Sequence, residues 1–228
     1  MKIAVLGTGM VGQTIAAKLN ALGHEVTIGT RNVAHALNNN KPNPAGQIFS
    51  QWLAENPLIK LGSFAEAAAT AALLINATSG SGSIEALTAA GTENLKGKTI
   101  LDIANPLDFS QGMPPSLFIN NTDSLGETLQ RSFPEAHIVK SLNTMNCSVM
   151  VDPSLIPSDH NAFLSGNEAS AKEQVRQLLI AFGWKSDNII DLGDITTARG
   201  TEQLLPIWIR LWGALKTPNF NFHIAVAK

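Results

Sequence analysis

The sequence predicts an α/β protein built on a mostly parallel sheet with helices on both faces. Three observations carry this. Short β-rich runs alternate with runs of helical period from residue 2 to residue 142. Those short runs are almost continuously apolar, as strands buried on both faces require. The first of them empties into a cluster of glycines that opens a helix.

Residues 2–6 (KIAVL) form the first strand. Residues 10–22 place Val11, Ile15, Leu19 and Leu22 at helical spacing, and Gly23 closes that helix. Residues 25–29 (EVTIG) resume as a second strand, and the Asn- and Pro-rich segment 38–44 is loop. A third strand is expected at 58–61, with Ser63 as N-cap of an Ala-rich helix reaching residue 72. Residues 73–77 (LLINA) are a fourth strand and 83–90 a helix. Residues 99–103 (TILDI) make a fifth strand, ended by Asn105-Pro106, and 137–142 a sixth.

Beyond Asn143 the rhythm weakens. A strand is expected at 162–165, a helix at 168–182, a short strand at 189–191 and mostly helix over 196–215, where Pro206 marks a kink or restart. A chain of 228 residues suits one domain, with 1–144 as its core and 145–228 as a small C-terminal helical extension packed on it.

Composition excludes several classes. A chain 44% hydrophobic and 15% charged argues against disorder, and a net charge of -2 argues against a nucleic-acid surface. The single Cys147 rules out an internal disulfide framework and a multi-cysteine metal site. Without a flanking His or Lys it reads as an inert thiol. The five histidines lack metal-ligand spacing, so no metal is expected. There is no tyrosine, so no mechanism that needs a Tyr proton donor operates here. The apolar stretches at 65–77 and 204–215 are shorter than the ~20 residues a membrane helix needs, and no signal segment is visible. A reducing, bacterial-type cytoplasm is the expected compartment, with no membrane partner.

Gly7-Thr8-Gly9-Met10-Val11-Gly12 is G-x-G-x-x-G between a strand and a helix. In that context the first glycine permits the turn, the second lets backbone approach a pyrophosphate, and the third allows close helix–strand packing. The helix N-terminus then offers free N–H groups and partial positive charge to phosphates. The fold is thus Rossmann-type and doubly wound. NAD sites place Asp or Glu at the end of the second strand, whereas here Thr30, Arg31 and Asn32 stand there. A guanidinium suits a 2′-phosphate, so NADP(H) is preferred over NAD(H), against the alternative that Arg31 is a solvated surface charge. Ligands lie at the carboxyl ends of such strands. That nominates Thr78 and Ser79 after the fourth strand and Ala104 and Asn105 after the fifth. Asn143, Thr144 and Met145 after the sixth would face the acceptor. Hydride passed between two flat rings needs positioning rather than a strong acid or base, so no catalytic side chain is assigned. A protein that binds NADP(H) and reports redox state without catalysis is the alternative from another class.

The opening KIAVLGTGMVGQTIAAKLNALGHEVTIGTRN and the ending DLGDITTARGTEQLLPIWIRLWGAL resemble the coenzyme F420-dependent NADP oxidoreductase family. Membrane ferric reductases carry a similar cytoplasmic domain. The resemblance implies an NADP(H)-dependent oxidoreductase with a deazaflavin- or flavin-like acceptor, the ferric and free-flavin reductase activities being alternatives. By position it puts residues 7–12 on the pyrophosphate and Thr30, Arg31 and Asn32 on the 2′-phosphate. Thr78, Ser79, Ala104 and Asn105 fall beside the nicotinamide half. The chain departs from the family where members have His-Thr-hydrophobic-Pro after the sixth strand and it reads Asn143-Thr144-Met145-Asn146. That leaves the acceptor open. In the family the C-terminal helices join subunits, which implies a homodimer through the segment of Trp208 and Trp212.

Overall fold

The structure, a computed structural model, describes residues 1–227. Its main sheet contains eight of the ten strands. These are β1 (Lys2–Leu6), β2 (Glu25–Thr30), β3 (Lys60–Ser63), β4 (Leu73–Asn76), β5 (Thr99–Asp102), β8 (His137–Lys140), β9 (Ala162–Gly166) and β10 (Ile189–Asp191). A separate hairpin pairs β6 (Leu107–Asp108) with β7 (Ser116–Leu117). The sheet order is β10-β9-β8-β5-β4-β1-β2-β3. Every pairing is parallel except β8 with β9. Expectation and structure agree on a doubly wound, mostly parallel sheet.

Alternation within β1 shows why both faces are covered. Ile3 and Val5 point into one core with Ile15 and Leu19 of α1 (Met10–Ala21) and Val175 and Leu179 of α9 (Ala169–Phe182). Ala4 and Leu6 point into the other, with residues of α4 (Phe64–Thr70), α5 (Ser83–Ala90) and α7 (Leu125–Ser132). α1 ends as expected. Gly23 adopts φ +80, and its N–H and that of His24 close on Asn20 and Leu19 carbonyls. Ser63 and Glu66 form a complete capping box at α4.

Several elements differ from the sequence reading. The third strand starts at Lys60 rather than Leu58, because pairing of Lys60 opposite Thr27 sets the register and leaves Leu58 exposed. Two short helices, α2 (Val33–Asn38) and α3 (Phe49–Glu55), flank the loop, and neither carries enough periodic residues to be read. The β6–β7 hairpin was likewise invisible, since two-residue strands have no pattern. The remaining helices are α6 (Thr92–Leu95), α8 (Cys147–Val151), α10 (Ala198–Glu202) and α11 (Leu205–Leu215). Pro206 lies in the first turn of α11, so it restarts the helix. The C-terminal segment carries α10 and α11 as expected and also adds β9 and β10 to the sheet edge. No helix among the described residues is long and apolar enough to cross a membrane.

Candidate functional site

The chain order reverses between β1 and β4, whose neighbours lie on opposite sides, and a crevice opens there at the carboxyl ends of the strands. The three glycines of the turn divide the work. Gly7 sits at φ +121, donates its N–H to Gly29 O at 2.9 Å, and would place a Cβ 2.6 Å from Ala77 O. Gly12 lies against the turn itself, where a Cβ would fall 2.1 Å from Gly7 O. At Gly9 a Cβ would meet nothing within 4 Å. The space in front of Gly9 is therefore open to a ligand, and the N-terminus of α1 faces it. Gly9 caps that helix with no side-chain hydrogen bond, and no acidic residue stands in the first turn. Thr8, Met10 and Val11 complete the turn. Gln13 braces it from below, donating to Thr8 O at 2.8 Å and accepting from Asn43 Nδ2 at 3.3 Å.

At the end of β2, Thr30 is buried and Arg31 is exposed. Arg31 Nη2 lies 3.2 Å from Glu85 Oε2 of α5, with the two side chains 70% and 64% exposed. Asn32 caps α2, its Oδ1 accepting the His35 N–H at 2.8 Å, so only its amide nitrogen is left to meet a phosphate. A cavity of about 250 Å³ joins Thr8, Gly9 and Thr30 to His35, Lys41 and Asn43. His35 and Lys41 were not foreseen. Their signal was a His and a Lys within ten residues of the Arg that follows β2.

Thr78, Ser79, Ala104 and Asn105 line one cleft of about 240 Å³, together with Val11, Leu107 and Phe109. The strand-end loops after β4 and β5 touch here. Gly80 packs so closely on Asn105 that a Cβ would lie 2.1 Å from its carbonyl oxygen. No lining residue of this cleft titrates. Phe109, on the β6–β7 hairpin, is 57% exposed at the mouth.

The residues after β8 stand differently from expectation. Asn143, Thr144 and Met145, expected to face the acceptor, are all buried and none lines the cleft. Leu142 takes φ +60, an uncommon conformation for its side chain, and turns the chain beneath Asn105. Asn143 Nδ2 donates to Asn105 Oδ1 at 3.0 Å, and Asn105 Nδ2 donates to Asn143 O at 2.8 Å. Asn143 thus holds a cleft residue instead of facing the cleft. Cys147 is buried, with the Thr14 hydroxyl 3.6 Å from its sulfur.

A family model described as NADP oxidoreductase, coenzyme F420-dependent, matches residues 2–106. The chain is 27% identical to the F420-dependent NADP reductase of Methanothermobacter marburgensis over 217 residues, 92% of each protein. It is 24% identical over 214 residues to the metalloreductase STEAP3 of Rattus norvegicus, and spans 38% of that protein's length. A crystal structure from Arthrobacter sp. FB24, of a candidate F420-dependent NADP reductase, superposes with a TM-score of 0.95 at 62% identity. That match covers 99% of this chain and 100% of the other. A Streptomyces aurantiacus imine reductase shares only the fold, with a TM-score of 0.62 at 18% identity over 95% of this chain and 63% of that one. With a 62% identical relative matched over the full length of both chains, the protein belongs to the coenzyme F420-dependent NADP oxidoreductase family.

Proposed function

We propose that the protein is an NADP(H)-dependent oxidoreductase that passes hydride between nicotinamide and a deazaflavin- or flavin-like acceptor such as coenzyme F420. The observation that carries the reading is the open face of Gly9 in front of an uncapped helix N-terminus, in line with the cleft that ends at Phe109. These residues fit a dinucleotide. The N–H groups at the start of α1 hold the pyrophosphate, and Thr30, Arg31 and the amide of Asn32 take the 2′-phosphate, with His35 beside them and Lys41 adding charge. Thr78, Ser79, Ala104 and Asn105 wall the nicotinamide half. When bound, the nicotinamide supplies or receives the hydride. The chain contributes position and exclusion of water: small side chains at 78, 79 and 104 leave room for a flat ring, and Asn143 locks Asn105 in one orientation. Phe109 gives the second ring an apolar face at the mouth.

The exposed apolar residues Ile207, Trp212 and Leu215 of α11 support a second copy of the chain as partner. A light-scattering mass near 24 kDa at micromolar concentration would exclude that dimer. A reducing cytoplasm, where the lone Cys147 stays a thiol, suits the protein.

The test of function is NADPH oxidation, followed by nicotinamide absorbance, with coenzyme F420, FMN, FAD and a ferric chelate offered separately. Turnover with F420 or a flavin and not with the chelate is expected. Turnover only with the chelate would replace the ring acceptor by iron. Tight NADPH binding without turnover on any acceptor would leave a binding module in place of an enzyme.

A further inference from the structure

Three charged side chains are buried beneath the cleft wall, and the chemistry above uses none of them. Lys140 ends β8 with its ammonium 2.5 Å from Asp102 Oδ2 and 2.8 Å from Glu202 Oε1. It also donates to Ala104 O at 2.7 Å. Asp102 Oδ1 accepts from the Ala104 N–H at 3.2 Å and from Asn76 Nδ2 at 2.8 Å. Asn76 Oδ1 in turn accepts from the Thr78 hydroxyl at 2.7 Å and the Thr78 N–H at 3.3 Å. Glu202, on α10, accepts the N–H groups of Leu125 and Gly126 at 2.7 and 3.0 Å, at the start of α7. Gly126 permits this approach, since a Cβ there would already touch Lys140 Cε at 3.3 Å.

The arrangement fixes direction more than it stabilises. A buried ion cluster is a weak source of stability, because desolvation offsets most of the Coulomb attraction. Burial by itself would lower the Lys140 pKa, but the attraction of Asp102 and then Glu202 outweighs it and holds the ammonium above the ordinary lysine value. Two carboxylates face one ammonium, and the excess negative charge falls at the positive end of α7. What the charges achieve is geometric. Both the N–H and the C=O of Ala104 are held, and the Thr78 turn is held through Asn76. Both residues line the cleft, at the ends of the adjacent strands β4 and β5.

We propose that Lys140, clamped between Asp102 and Glu202, is a positioning residue that holds Ala104 and Thr78, the cleft residues against which the nicotinamide ring lies. This rests on the NADP(H) reading above. It ties the placement of that ring to Glu202, a residue of the C-terminal segment.

The test compares wild type, Lys140→Met and the double variant Lys140→Met/Asp102→Asn by calorimetric titration. The double variant removes one buried charge of each sign and leaves Glu202 its two backbone donors, so it loses less stability than Lys140→Met, and circular dichroism checks its fold before titration. The ligands are NADPH and 2′-phospho-ADP-ribose, which has every part of the cofactor except nicotinamide. The expected result is fragment affinity within about twofold of wild type and NADPH affinity about tenfold weaker, because only the nicotinamide half loses residues held in place for it. A merely structural role would weaken both ligands together, and that outcome overturns the proposal. Unchanged affinity for both also overturns it. Wild type that binds neither ligand overturns the NADP(H) reading itself, which separates the two failures.

Discussion

The pairing of Arg31 with Glu85 makes a quantitative prediction about coenzyme choice. A 2′-phosphate can engage Arg31 only by displacing a carboxylate that sits 3.2 Å from the guanidinium. With both side chains about two-thirds exposed, that ion pair contributes no more than about 1 kcal/mol. A charge-assisted bond from arginine to phosphate contributes about 1.5–3 kcal/mol, and exposure argues for the lower end. The difference leaves a net gain of about 0.5–1 kcal/mol, so Arg31→Ala weakens NADPH binding by about twofold to fivefold. Glu85→Gln removes the competitor and its repulsion of the phosphate, and tightens NADPH by about twofold to fivefold. Neither change moves NADH by more than about twofold, because NADH has no 2′-phosphate. The assay is a titration of each coenzyme by nicotinamide fluorescence at low and at physiological salt. The differences shrink as salt rises, since the groups are exposed. Equal loss of NADPH and NADH in Arg31→Ala would refute the reasoning, as would weaker NADPH binding in Glu85→Gln.

Other expectations follow from the same geometry. Gly9→Ala keeps the fold, because its Cβ meets no protein atom within 4 Å, but it abolishes NADPH binding. Gly12→Ala, whose Cβ would fall 2.1 Å from Gly7 O, lowers Tm sharply, and a thermal melt of the pair separates the two roles. Phe109→Ala raises the KM for a flavin or deazaflavin several-fold and leaves the NADPH Kd unchanged; a matching loss of NADPH affinity would remove Phe109 from the acceptor side. The Ser63 N–H and then its hydroxyl hold the Glu66 carboxyl below its usual value of 4.5. A depressed folded value means this contribution to stability is present above pH 4.5 and is lost as pH falls through the folded value. Ser63→Ala therefore lowers Tm at neutral pH and flattens its decline on the acid side.

The readable parts of this protein are those in which physics acts within a few residues. Gly7, Gly9 and Gly12 announce a turn because each meets a constraint set by its nearest strand and helix. Ser63 is legible as the N-cap of α4, because its hydroxyl meets the Glu66 N–H only three positions on, whereas the reciprocal bond of Glu66 is seen in the structure alone. Asn32 was half-legible. Its type suits a phosphate donor and a helix cap equally, and only the helix that follows it showed that its Oδ1 is committed to His35. The placement of the segment after β8 is not legible, because Leu142 at φ +60 leads into an Asn143 whose side chain bonds to Asn105, a contact 38 residues away in sequence.

The sheet, the glycine turn and the lack of an acidic residue where NAD would need one are written in the order of the residues. Each is encoded in local spacing, because backbone geometry repeats over two, three or four positions. Folding brings Glu85 to Arg31 across 54 residues, Asn143 to Asn105 across 38, and Glu202 to the start of α7 from 77 residues away. Asp102 and Lys140 lie in runs that read simply as buried strands, and their pairing is set by the register of β5 beside β8. Contacts of that kind leave no period in the chain. They exist because packing brings distant strand ends together, where a charge stays buried only with its partner in place.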